Sequence, residues 1–168
     1  MFTPPKDPSV AMYFIYALSA LLLLYAVYRS LFTRLVTPED YIKRANNYVS
    51  YFRSYNKAIQ VLEKGLMLPD LKEEEKQEIH FHLGIQHHRL RDFATAAKHF
   101  DHVLPRIKKK KLEYSKGYLD MIMSYYNDGQ EGVARGLYHQ LLKKQHIDPR
   151  FGFVTSLDNR IFKEARKK

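Results

Sequence analysis

Residues 10–28 read VAMYFIYALSALLLLYAVY and carry no charge. This run constrains the chain more than any other feature. About 20 apolar residues are what a helix needs to cross the hydrocarbon core of a bilayer. Such a helix also satisfies its own backbone amides where no water can do so. Ser19 is the one clearly polar residue in the run besides the tyrosines. Tyr13, Phe14 and Tyr16 lie near one end, and Tyr25, Tyr28 and Phe32 near the other. Amphipathic rings favour the headgroup level, so the pattern is that of two aromatic belts. Two plainer readings compete. A cleaved leader has a basic start, a shorter apolar core and a small-x-small cleavage site; here Lys6 is set against Asp7 and the run ends in Tyr-Arg. A buried core helix is seldom this long without a charge. The expectation is a short tail at 1–9 and an uncleaved transmembrane helix at 10–32.

Lysine and arginine placement gives the orientation. Only Lys6 precedes the run, whereas Arg29, Arg34, Lys43 and Arg44 follow it. The positive-inside rule puts the C-terminal side in the cytoplasm and the N-terminus outside. The expected location is the cell membrane, as a single-pass protein. The opposite topology is the alternative.

The remainder is rich in Lys, Tyr, His and Leu, and the whole chain of 168 residues has a formal charge of +10. That charge predicts attraction to lipid headgroups, nucleic acid or acidic proteins. The absence of cysteine excludes disulfides, thiolate catalysis and cysteine-ligated metal. Thr37-Pro38-Glu39-Asp40 is a strong helix start, with a capping hydroxyl, proline in the first turn and acids at the positive dipole end. From there helical periodicity dominates and no strand pattern emerges.

Three segments align at a constant spacing of 38. The first has Tyr55, Ala58, Leu62 and Leu66; the second has Phe93, Ala96, Phe100 and Leu104; the third has Ala134, Tyr138 and Leu142. Amphipathic stretches at 41–53, 74–90 and 113–127 precede them. Turns fall at Arg53-Ser54, Arg91-Asp92 and Asp128-Gly129-Gln130. The repeating unit is helix, tight turn, helix. Ala58, Ala96 and Ala134 sit one turn into each second helix, where a close crossing demands a small side chain. The larger residue four positions on fills the wedge beyond it.

The pattern resembles the tetratricopeptide repeat family over roughly residues 38–144. The middle copy carries the likeness best, in Leu83-Gly84, Asp92-Phe93, Ala96, Phe100 and Leu104. His80 and His87 stand where packed aromatics are usual, and the outer copies have Ala45-Asn46 and Met121-Ile122 in place of Leu-Gly. The family period is about 34, so the extra turn per copy is expected in the connections at 68–73 and 108–111. The resemblance implies an all-α fold: a transmembrane helix, then an α-solenoid of about three helix-turn-helix repeats at 37–147. A last segment at 148–168 starts at Asp148-Pro149. Its Phe153, Val154, Leu157, Ile161 and Phe162 predict an amphipathic capping helix, before a basic tail ending in Arg166-Lys167-Lys168 that is expected to fray.

No catalytic constellation is present: there is no phosphate-cradling glycine loop and no nucleophile elbow, and Glu73-Glu74-Glu75 reads as a solvated helix start. The expectation is a protein without enzymatic activity or cofactor. Six of the eight histidines, His80, His82, His87, His88, His99 and His102, crowd into 80–102. His99 and His102 share a helical face and could chelate. Yet no carboxylate is spaced with them as in known zinc motifs, so packed or exposed histidines are expected rather than a metal site.

The resemblance also implies a concave groove lined by the first helices of each repeat. Register gives Lys43, Arg44, Asn47 and Tyr51 from the first, and Phe81, His82, Ile85, His88 and Arg89 from the second. The third offers Leu119, Met123, Tyr126 and Asn127. Basic and amide groups would suit an acidic segment, and exposed apolar side chains would supply pockets. Burial against the capping helix is the plain alternative. Lys43 and Asn47 also match the start of the carboxylate clamp by which some family members hold chaperone C-termini. Ile85, Leu119 and Met123 depart from the rest of it, which puts chaperone binding in doubt. The expected function is a membrane-anchored scaffold or adaptor that recruits a protein or peptide partner with an acidic or mixed acidic and apolar segment. The alternative is an RNA- or anionic-lipid-binding module acting through the basic run Lys108, Lys109, Lys110 and Lys111, which is otherwise a solvated charge run.

Overall fold

The computed structural model describes residues 8–109 and 112–157, apart from the side chains of residues 8, 9, 30 and 31. Every element among them is helical. The chain divides into two units, Met1–Val36 and Thr37–Lys168.

The first unit contains one helix, α1 (Pro8–Phe32), about 37 Å long at 1.5 Å per residue. Its stretch Val10–Arg29 is long and apolar enough to cross a membrane, and no part of it is buried. The Ser19 hydroxyl donates to the Tyr16 carbonyl at 2.8 Å, so the one polar side chain of the run needs no water. Tyr28 and Phe32 stack at 4.8 Å between ring centroids.

The second unit is built from helical pairs. Helix α2 (Pro38–Phe52) starts at a full capping box: the Asp40 amide donates to the Thr37 hydroxyl at 3.3 Å, and the Thr37 amide donates to the Asp40 carboxylate at 2.9 Å. These bonds take up amides that the first turn leaves free. It pairs with α3 (Tyr55–Leu66). The second pair is α4 (Glu73–Arg89) with α5 (Phe93–Asp101), followed by a single turn, α6 (Leu104–Ile107). The third is α7 (Gly117–Asn127) with α8 (Glu131–Leu142). Each pair packs on the next, α3 against α4 and α5 against α7.

The spacing of 38 is visible in the backbone. Each pair is joined by a turn with one left-handed residue: Arg53 at φ 49°, Arg91 at φ 62° and Gly129 at φ 81°. Two residues after each, at Tyr55, Phe93 and Glu131, the second helix begins. Ala58, Ala96 and Ala134 are all fully buried, as the crossing geometry requires. A Cβ on Gly84 would lie 2.6 Å from the Phe100 ring, which explains the Leu-Gly pair of the middle copy: α5 rests its largest side chain on the bare backbone of α4. One on Gly117 would lie 2.7 Å from Phe81 and 2.6 Å from Ile85, so this glycine lets α4 and α7 approach closely.

Three boundaries differ from the sequence reading. The middle second helix does not run on to Leu104; it stops at Asp101, and Pro105 sits in the separate turn α6, because proline cannot donate to a continuing helix. Helix α7 begins at Gly117 rather than at 113. Leu112 is drawn into the core and the Tyr114 ring meets Phe151 at 5.4 Å, contacts that an extra helical turn would break. The capping segment is a 3-10 helix over Pro149–Leu157, not an α-helix. At three residues per turn it buries Phe151, Val154 and Leu157 and leaves Phe153 58% exposed. Ile161, Phe162 and the terminal basic residues lie outside the described residues.

Candidate functional site: a cleft between the second and third helical pairs

Helices α4 and α7 lie side by side, and the capping segment ends beside them. Together they bound a cleft of about 560 Å³. Its apolar lining comes from Phe93, Leu119, Met123 and Leu157, and its polar lining includes His88, Arg89, Arg91, Asp120 and Asn127. His88, Arg89, Leu119, Met123 and Asn127 were all placed in a groove by register, and the fold brings them together. Arg91, Phe93 and Leu157 join them from the turn, the start of α5 and the capping segment.

Other groove candidates sit elsewhere. Phe81 is not an exposed pocket-former: it is 4% exposed, packed against Tyr118 at 5.1 Å and Phe100 at 6.0 Å between centroids. The close approach at Gly117 closes the space it would have faced. Ile85 and Tyr126 are half-buried against the same core. His82 stands 3.6 Å from Glu78. On α2, Arg44 is 8% exposed and so belongs to the packed interior. Lys43 and Tyr51 are exposed and Asn47 is half-buried, but none of the four lines the cleft. Lys108 and Lys109 are exposed, Lys109 pairing with Glu74 at 3.2 Å. Lys110 and Lys111 lie outside the described residues.

Asp120 was not singled out by sequence, although a signal existed: it lies 38 residues after His82, a groove position in the middle copy. Its carboxylate accepts from the Arg89 guanidinium at 2.9 Å. The Ser124 hydroxyl donates its one proton to the Asp120 carbonyl at 2.8 Å. The same hydroxyl lies 2.8 Å from His88 Nδ1. The other ring nitrogen, Nε2, stands 3.6 Å from the Asp120 carboxylate. Burial pulls the His88 pKa down, the Asp120 charge pushes it up and Arg89 opposes it again. The neutral ring prevails at neutral pH, so Asp120 is left to Arg89. The floor of the cleft is thus a fixed polar network, and Arg91 and Asn127 on the rim are exposed to an incoming group.

The histidine cluster forms a second polar feature, on α4 and the end of α5. His80 Nδ1 and His99 Nδ1 are 3.0 Å apart. His80 stacks on His102 at 4.0 Å between centroids, and His87 stacks on His99 at 5.3 Å. His87 also meets the Asp92 carboxylate at 3.2 Å. Burial, with repulsion from neighbouring rings, holds His80 and His99 down to about 4. Among the described residues no group of three or more histidines and carboxylates is arranged to hold a metal ion. Two of the ring pairs stack and the third, His80 with His99, is tilted at 34°.

Comparison with protein-family models, with curated proteins and with solved structures found no match for this chain.

Proposed function

We propose that this protein is a membrane-anchored scaffold or adaptor that holds a segment of a partner protein in the cleft between α4 and α7. The observation that carries the reading is the composition of that cleft. An apolar lining is joined at the rim by Arg91 and Asn127, Arg89 being engaged by Asp120, a combination that suits a segment with an apolar side chain next to a carboxylate. In this reading the helical pairs form a tetratricopeptide-like solenoid, α1 is a single-pass anchor, and the pairs face the cytoplasm at the cell membrane. The protein has no catalytic role and takes no cofactor. Anchoring raises the local concentration of the cleft, so modest affinity for one segment is sufficient.

The test is crosslinking in intact membranes, with identification of the captured protein, followed by repetition with Arg91→Glu and Met123→Ala combined. Arg91 is on the surface and Met123 is half-buried, so helicity measured by circular dichroism should be retained. Capture is expected to fall about tenfold, the loss of roughly 1.4 kcal/mol of binding. Undiminished capture by a folded variant removes the cleft from the reading.

A further inference from the structure

The capping segment has an outer face as well as an inner one. In a 3-10 helix, residues three apart share a face, so Arg150 and Phe153 form one ridge while Phe151, Val154 and Leu157 point inward. Tyr114 ties this ridge to the preceding connection: the Arg150 guanidinium lies 5.5 Å from its ring centroid, and the Phe153 ring 6.3 Å. Ile147, in the adjoining turn, is 49% exposed, so two large apolar side chains stand in solvent on one small lobe. Cations share the lobe. Lys143 is exposed on the turn before Ile147. The Lys144 ammonium donates to the Lys109 carbonyl at 2.6 Å, while the Lys109 side chain itself is paired with Glu74 at 3.2 Å. Asp148 is already engaged by Arg150 at 2.7 Å, Glu113 also acts on that guanidinium, and among the described residues no carboxylate pairs with Lys143 or Lys144.

We infer that this lobe, which carries the exposed Phe153 and Ile147 together with Lys143 and Lys144, docks on an anionic lipid surface. Exposed apolar side chains beside lysines are suited to the headgroup boundary, the apolar groups burying and the cations meeting lipid phosphate or carboxylate. The inference rests on the anchor of the reading above, not on the cleft. A chain held at a bilayer by α1 keeps this lobe at high effective concentration over lipid, so a few lysines and two apolar side chains suffice.

The chain has no tryptophan, so Phe153→Trp is a clean reporter. The full-length variant is reconstituted into vesicles of phosphatidylcholine alone and of phosphatidylcholine and phosphatidylserine in equal parts, each with brominated acyl chains as quencher. In the mixed vesicles the emission should shift to the blue and fall about twofold as the ring enters the interface. High salt and the combined Lys143→Glu and Lys144→Glu substitutions should each reverse the effect. Leu90→Trp, on the turn between α4 and α5, should respond to neither lipid. Ile147→Trp repeats the measurement should the first reporter perturb the fold, which circular dichroism reads. Equal emission in the two vesicle types overturns the inference, as does quenching that survives charge reversal. A shift produced by added RNA and not by phosphatidylserine also overturns it and marks the lobe as a nucleic-acid surface. Failure of the anchor reads separately, as protein that does not float with pure phosphatidylcholine vesicles after an alkaline wash.

Discussion

At the scale of single residues, the glycines separate packing from conformation. Gly84→Ala would push a methyl group to 2.6 Å from the Phe100 ring, in a core with nowhere for that ring to go. A loss of about 1–3 kcal/mol is expected, read as a lower urea midpoint. Gly136, within α8, has nothing near its missing Cβ, and alanine there should stabilise by about 0.5–1 kcal/mol through helix propensity alone. If the two substitutions shifted the midpoint in the same direction, the packing account of Gly84 would fail. The histidines make a second residue-scale prediction. His80 and His99 have folded pKa values near 4, below the ordinary 6.5, chiefly because of burial. The unfolded chain therefore binds more protons between those values, and stability is complete above 6.5 and drains as pH falls towards 4. His99→Gln should flatten that slope in thermal melts taken across the window; a slope unchanged by the substitution would place the acid sensitivity elsewhere. Both features were partly legible in the sequence. Leu83-Gly84 stood out by its register, and His80 and His87 by occupying aromatic positions. The stacking of four imidazoles was not legible, because it depends on where α5 ends relative to α4.

At the scale of elements, what the sequence made visible is what repeats. The turn residues 53, 91 and 129 and the alanines 58, 96 and 134 share one spacing, because a tight turn and a close crossing each leave few choices of residue. What it hid are the features set by neighbours. Phe81 reads as a groove residue until Gly117 lets α7 come close enough to bury it. The 3-10 pitch of the capping segment cannot be told from an α-helix over so few residues, since Val154 and Leu157 fit both periods. Helix α7 starts late because Leu112 and Tyr114 are worth more packed than wound. The turns themselves carry a prediction. Only the third uses glycine for its left-handed residue, and nothing lies within 4 Å of where a Cβ on Gly129 would be. Gly129→Ala therefore measures the backbone cost alone, about 1 kcal/mol. Arg53→Gly and Arg91→Gly remove that same strain, with the gain reduced by glycine's greater freedom in the unfolded chain. Denaturant midpoints that fall for Gly129→Ala and hold or rise for the two arginine variants support three equivalent turns; a fall at all three sites would mean that the arginine side chains contribute contacts of their own.

At the scale of the whole molecule, the proposals stand on which side of the membrane the helical pairs occupy. Charge is asymmetric about the apolar run 10–28, with Lys6 before it and Arg29, Arg34, Lys43 and Arg44 after it. Arg44 ends in the folded interior, but orientation is decided as the chain inserts, before α2 has packed, so it still counts among the charges that resist translocation. The lack of cysteine makes the topology directly measurable. A single cysteine at Lys6 (Lys6→Cys) and, in a separate chain, at the exposed Ser50 (Ser50→Cys) can be challenged with a maleimide that does not cross membranes. Lys6→Cys should label on intact cells, and Ser50→Cys only after permeabilisation. The same samples settle cleavage: an uncleaved anchor keeps the Lys6→Cys label on a protein of full mass, whereas a removed leader would carry the label away. The reverse labelling would move the cleft and the lysine lobe to the outer surface, where the anionic lipid of the inner leaflet is out of reach. The docking proposal would then fail together with the cytoplasmic assignment, while the packing of the three helical pairs would stand untouched.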